Sequence, residues 1–198
     1  EILRCLVGSE MCKETADNQV TVTTDYLTLV YTLNSEGYAS QCVYSLSSQN
    51  HIYQFSYSAE GYLTGIVENI DNTEYSSTSL TYENGDITSI SSKMNGLENK
   101  FIYEPGEESS TYHLPCLGLL EIHPLTFHIE ALYAGLLGKD PRHFTIRSCP
   151  AGSNDEKTIY SYEFDKKGNP SRMICQTTYA GGQASYYPYT RNISVSFE

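Results

Sequence analysis

The stretch YQFSYSAEGYLTGI, residues 53–66, carries the pattern that decides the fold. Tyr53, Phe55 and Tyr57 alternate with polar residues, which places their three rings on one face of a strand. Glu60 and Gly61 supply a tight reversal, the glycine tolerating the positive φ such a turn needs. Leu63 and Ile66 follow as the apolar positions of a return strand. The unit is a β-hairpin.

Three other stretches repeat the pattern. Leu80 and Tyr82 precede Gly85, with Ile87 and Ile90 behind it. Tyr160, Tyr162 and Phe164 precede Gly168, followed by Pro170 and Met173, while Leu27, Leu29, Tyr31 and Leu33 lead to Gly37 and Cys42. In all four, an apolar residue or Cys falls five positions after the glycine. The apolar positions two and five after the glycine differ in parity, so the return strand either carries a bulge or buries both faces there. Both options bend the sheet. A degraded copy surrounds Phe101, Tyr103, Pro105 and Gly106, and Ile193, Val195 and Phe197 alternate as a last strand. The predicted fold is all-β and mainly antiparallel: a meander of repeated β-hairpins curling into a partly open barrel or half-barrel. Residues 20–198 form a single β domain in this reading, and residues 1–19, which lack periodicity, form an N-terminal segment open to partial disorder.

One region breaks the repeat. From Leu114 to Leu137 the chain becomes rich in leucine, and Leu125, Ile129, Leu132, Tyr133 and Leu136 stand at helical spacing behind Pro124. Gly138 is the expected stop and Lys139 suits the negative end of a helix. The spacing predicts one short amphipathic helix near 124–137, inside an insert of about 114–139. Its residues Leu125, Ile129, Leu132 and Leu136 are expected to face inward and cover an open end or edge of the sheet.

Composition narrows the function. Among 198 residues, 12 Lys and Arg stand against 24 Asp and Glu, a formal net charge of −12 that repels phosphate backbones and anionic lipid. Nucleic acid is not expected as a partner. Eighteen Tyr and no Trp suit a pleated, half-buried surface. No run approaches the roughly 18 apolar residues of a membrane-spanning helix. The chain begins at Glu1 and is read as a mature or trimmed fragment whose export signal has been removed. Its six Cys, at 5, 12, 42, 116, 149 and 175, permit up to three disulfides or stand as buried thiols, and no C-x-x-C occurs.

The repeat and the insert together resemble a family of exported gut-bacterial lipoproteins, a domain of unknown function with a porin-like β fold. The resemblance spans roughly residues 25 to 198 and rests on LYAGLLGK at 132–139, SLTYENGDITSI at 79–90 and YSYEFDKKGNPSRM at 160–173. It implies an exported protein, in the periplasm or at the outer membrane, attached to the membrane only through a lipid anchor outside this chain. It implies no activity. A weaker likeness, through Phe164, Asp165 and Gly168, is to the YD repeats of large bacterial shell proteins.

Candidate chemistry is sparse. GLLGK at 135–139 looks like part of a phosphate-binding loop, but Tyr133 replaces its first glycine and Asp140 the hydroxyl residue that would hold magnesium. No G-x-S-x-G, H-E-x-x-H or EF-hand pattern occurs. His113, Cys116, His123, His128 and His143 gather near the insert in no standard zinc spacing, so neither metal nor cofactor is expected. The sequon at Asn192–Ser194 lies in an expected strand. The tyrosines carry the more serious reading, because a ring with a hydroxyl suits recognition surfaces as well as cores. Tyr53, Phe55, Tyr57, Tyr82, Tyr160 and Tyr162 are the candidate contacts for an apolar or glycan ligand. The expected function is a non-enzymatic binding or structural lipoprotein domain, with a hydrolase acting on envelope or dietary polymers as the alternative.

Overall fold

The computed structural model describes residues 11–16, 18–23, 27–46, 49–109, 124–153, 155–164, 166, 170–179 and 184–192. Among these, thirteen strands form one antiparallel sheet in strict chain order. They are β1 Met11–Ala16, β2 Gln19–Thr23, β3 Thr28–Leu33, β4 Ala39–Leu46, β5 Gln49–Tyr57, β6 Leu63–Ile70, β7 Thr73–Glu83, β8 Asp86–Met94, β9 Leu97–Ser109, β10 His143–Pro150, β11 Lys157–Phe164, β12 Pro170–Thr178 and β13 Ala184–Asn192. β1 and β13 stand at the two ends of the order and do not pair with each other, so the sheet is not closed into a barrel. The hairpin meander read from the sequence is the observed topology, except that Pro105 and Gly106 lie within β9, paired with β10, and not at a hairpin turn. Part of the N-terminal segment, Met11–Ala16, pairs with β2, and residues 1–10 lie outside the described residues. Gly168, Ile193, Val195 and Phe197 lie outside them as well.

The parity shift after each glycine is a bulge. Between β3 and β4, Thr32 faces Gln41 but Leu33 faces Ala39, which leaves Ser40 as the extra residue. Thr64 is the extra residue opposite Ser56 and Tyr57, Thr88 opposite Thr81 and Tyr82, and Ser171 opposite Glu163 and Phe164. Each stands three positions after the repeat glycine. The hydroxyls of Ser40, Thr64 and Thr88 donate back to the carbonyls of Thr32, Ser56 and Thr81, at 3.0, 3.1 and 3.2 Å. A hydroxyl residue at this position therefore stitches the bulge to the outgoing strand. The bulge turns the residues two and five after Gly37, Gly61 and Gly85 onto the same face. Ala39 and Cys42, Leu63 and Ile66, and Ile87 and Ile90 are all buried there.

That inner face is filled by the chain itself. Val22, Leu29, Tyr31, Tyr53, Phe55, Tyr103, Tyr160 and Cys175, from β2 to β12, belong to one buried cluster with Leu125, Ala131, Leu132, Leu136 and Leu137 of the insert. The inward positions expected for the insert are thus met by Leu125, Leu132 and Leu136, with Ile129 packed at the margin. The helix is shorter than its spacing predicted. A 3-10 turn at Leu125–Phe127 precedes a single α-helix, α1, at Ile129–Tyr133. His128 separates them with non-helical backbone at φ −123° and ψ 28°, its ring turned inward to hydrogen-bond Tyr31, and this interrupts a continuous helix. The stop is Gly135 rather than Gly138. Gly135, at φ +69°, lets its own amide reach the Leu132 carbonyl and the Leu136 amide reach Ala131, the paired bonds of a Schellman cap. Lys139 accordingly does not serve the helix end. No helix among the described residues is long and apolar enough to cross a membrane.

Candidate functional site

Beyond α1 the chain runs across one end of the sheet as a strap, residues 136–143. The Leu136 carbonyl accepts from the Ala39 amide at the first hairpin, the Lys139 amide donates to Gly61 of the second, and the Arg142 amide donates to Gly85 of the third. Successive hairpin ends stand two strand spacings apart, about 10 Å. Three extended residues span about the same distance. The match explains why every third residue of the strap meets a hairpin. The strap ends where Asp86 Oδ1 accepts from the His143 amide at 2.7 Å and Asp86 Oδ2 accepts from His143 Nδ1 at 2.8 Å. The Tyr57 hydroxyl, which donates to the Ala39 carbonyl at 2.6 Å, also lies 3.4 Å from the Leu136 carbonyl of the strap.

The hairpin glycines Gly37, Gly61 and Gly85 recur every 24 residues, and the first two hairpins place the same chemistry beside the strap. Asn34 Oδ1 accepts from the amides of Glu36 and Tyr38, and Ser58 Oγ accepts from those of Glu60 and Tyr62. These bonds aim Tyr38 and Tyr62, the residues following the first two glycines, over the next hairpin. Tyr38 lies against Gly61 and Tyr62 against Gly85. Tyr62 also stacks on Tyr82 with ring centroids 4.9 Å apart, and Tyr38 packs at a tilt against Tyr57 at 5.3 Å. The Glu60 carboxyl is held below the usual carboxylate range, first by the Ser58 hydroxyl, then by its own backbone amide, and further by nearby Lys139.

A second cluster lies within the inner face. Glu68, only 2% exposed, accepts from the Tyr53 hydroxyl at 2.7 Å and the Ser76 hydroxyl at 2.9 Å, and pairs with His51 Nδ1 at 3.0 Å. Tyr44 stacks on His51 and its hydroxyl lies 3.4 Å from that of Tyr53. Burial pushes the Tyr53 hydroxyl well above the usual phenol range, and Tyr44 and Glu68 push it the same way. Tyr44 and Tyr57 are raised as well, chiefly by burial. Beside this network the Tyr31 hydroxyl and His128 Nδ1 are 2.8 Å apart, with the His128 ring set edge-on to Tyr53 and Phe55. Burial lifts the Cys42 thiol to about 12. Hydrogen-bonded in this way, the Glu68 side chain is a buried polar centre of the core.

The six candidate ring residues divide between these environments. Tyr53, Phe55 and Tyr160 are buried, and the Tyr160 hydroxyl is 2.9 Å from Ser148 Oγ. Tyr57, Tyr82 and Tyr162 are half-buried, Tyr162 donating to the Thr145 carbonyl at 2.7 Å. The structure does not bring His128 and His143 together, since one meets Tyr31 and the other Asp86, while His113, Cys116 and His123 lie outside the described residues. No group of three or more metal-ligating side chains occurs among the described residues. Cys42 and Cys149 carry free thiols.

Residues 13–172 match the family model described as a domain of unknown function (DUF4595) with porin-like fold. The chain belongs to this family. Two solved porin-like structures are similar to this chain over most of its length. One, from Bacteroides uniformis ATCC 8492, has a TM-score of 0.79 at 25% identity, covering 91% of this chain and 73% of its own. The other, from Bacteroides vulgatus ATCC 8482, has a TM-score of 0.63 at 11% identity, covering 91% and 87%, and shares the fold alone. Comparison with curated proteins gave no match.

Proposed function

We propose that this DUF4595 chain is a non-enzymatic binding or structural domain of an exported envelope lipoprotein, held in the periplasm or at the outer membrane by a lipid anchor outside this chain. The observation that carries this reading is the occupancy of the inner face: the insert and the buried rings of β3, β5 and β11 fill it, and Glu68 is committed to Tyr53, Ser76 and His51. A ligand, apolar or glycan, then meets the domain at its surface. The half-buried Tyr57, Tyr82 and Tyr162 are better placed for it than Tyr53, Phe55 and Tyr160, which serve the core. The porin-like neighbours from Bacteroides support an envelope location.

A turnover screen against polysaccharides, peptides and esters tests the non-enzymatic part. No product is expected from any of them. Reproducible turnover that vanishes on mutating one carboxylate overturns the reading in favour of a hydrolase.

A further inference from the structure

The strapped end of the sheet presents one arrangement twice. At Gly61, the Tyr38 hydroxyl and the Lys139 side chain lie 3.2 and 3.5 Å from the point where a Cβ would stand. At Gly85, the Tyr62 hydroxyl and the Arg142 stem lie 2.8 and 3.6 Å from the equivalent point. Each glycine is thus flanked by a tyrosine from the preceding hairpin and a basic residue from the strap. The two units are one hairpin apart, about 10 Å. Backbone bonds already fix the strap on the sheet, so the exposed ends of Lys139 and Arg142 are not needed to hold it.

The chemistry of this ledge is mixed. Tyrosine rings offer partly exposed apolar faces, Lys139 and Arg142 offer donors, and Glu60 in the second turn offers an acceptor beside Lys139. Vicinal sugar hydroxyls both donate and accept, and sugar rings present apolar C–H faces, so this set matches a polyhydroxylated ligand. A net charge of −12 works against an anionic one. The spacing of the two units is close to a disaccharide in an extended β-linked chain. We propose that the hairpin end formed by Tyr38, Tyr62, Lys139 and Arg142 binds an extended, uncharged glycan, each tyrosine-and-cation unit meeting every second sugar. The proposal rests on the binding reading above and names its ligand class.

Affinity electrophoresis of the whole chain through gels containing soluble xyloglucan, galactomannan or polygalacturonate tests it, with reducing ends assayed in parallel. Retardation by a neutral glycan is expected, weakened at least tenfold in Tyr62→Ala and in Arg142→Ala. Tyr179→Ala, which removes an exposed tyrosine elsewhere, should leave it unchanged. Arg142→Ala keeps the backbone bond to Gly85, so an unaltered melting curve separates lost binding from lost folding. Retardation by polygalacturonate alone, by none of the three, or equally in all variants overturns the ledge while leaving the non-enzymatic reading intact. Release of reducing ends that depends on Tyr62 supports the ledge and overturns the non-enzymatic reading.

Discussion

Gly138 crosses Gly61 so closely that a Cβ on Gly138 would stand 2.6 Å from the Gly61 carbonyl oxygen and 3.0 Å from the Tyr57 ring. With φ at +88°, Gly138 also occupies backbone space that L side chains rarely adopt. This contact seats the strap on the middle hairpin. Gly138→Ala should therefore destabilise the domain by about 2–4 kcal/mol, combining backbone strain with displacement of the strap. Gly37→Ala isolates the strain, since its φ is +84° and nothing lies within 4 Å of an added Cβ. It should cost only about 1 kcal/mol. Urea denaturation of the two variants measures the difference, and equal losses would remove the steric argument.

Leu132 and Leu136 of the insert are buried against the inner face. Leu132→Ala should cost about 2–5 kcal/mol, the range for opening a cavity in a packed core. A loss below about 1 kcal/mol in the same denaturation experiment would mean that the segment is a gate rather than a cover.

The Glu68 network should be strongly coupled. Tyr53→Phe removes the donor 2.7 Å from the Glu68 side chain and leaves a buried carboxyl oxygen one partner short, at a cost of about 1–3 kcal/mol. Glu68→Gln weakens the same bond. A double-mutant cycle should return a coupling energy of about 1 kcal/mol or more. Additive losses would show that the two groups do not depend on each other.

Stability should fall at alkaline pH. Cys42 has its thiol raised from 9.0 to about 12, and Tyr44, Tyr53 and Tyr57 are raised from 10.0, burial being the first cause in each. A raised folded-state value means that the unfolded chain loses its proton first. The stabilisation is complete below about pH 9 and is lost as pH climbs through 9 to 12 for Cys42, and from 10 upward for the tyrosines. Tyrosinate absorbance at 295 nm, followed together with circular dichroism, should show a late group of tyrosines ionising only as the fold melts. Complete ionisation of all tyrosines in a still-folded chain would contradict the burial assigned to these rings.

Much of this architecture was legible in the residues. Alternation at Tyr53, Phe55 and Tyr57, and the parity shift between Leu63 and Ile66, announced both the hairpin and its bulge. The hydroxyl residue three after each glycine, Ser40, Thr64 and Thr88, was a signal available in the sequence, but its purpose appears only once the register is known. Apolar spacing predicts one continuous helix for the insert because it does not register a histidine turned inward, as His128 is toward Tyr31. Glu68 carries no strong signal in the sequence, because a strand carboxylate ordinarily faces water. Its even spacing from Ile66 was the only local sign, and its partners His51, Tyr53 and Ser76 come from other strands. The strap depends on contacts between residues far apart in sequence, which no local pattern encodes.

Hydrogen exchange at the amides of Ala39, Lys139 and Arg142 tests most directly whether the insert and strap are a fixed part of the sheet. These amides donate to Leu136, Gly61 and Gly85. If the strap is structural, all three should exchange as slowly as the central amides of β5 and β6, and Gly138→Ala should release them together. Exchange of Lys139 and Arg142 at rates near those of an open chain, with β5 and β6 still protected, would show a mobile lid and contradict a filled, strapped inner face.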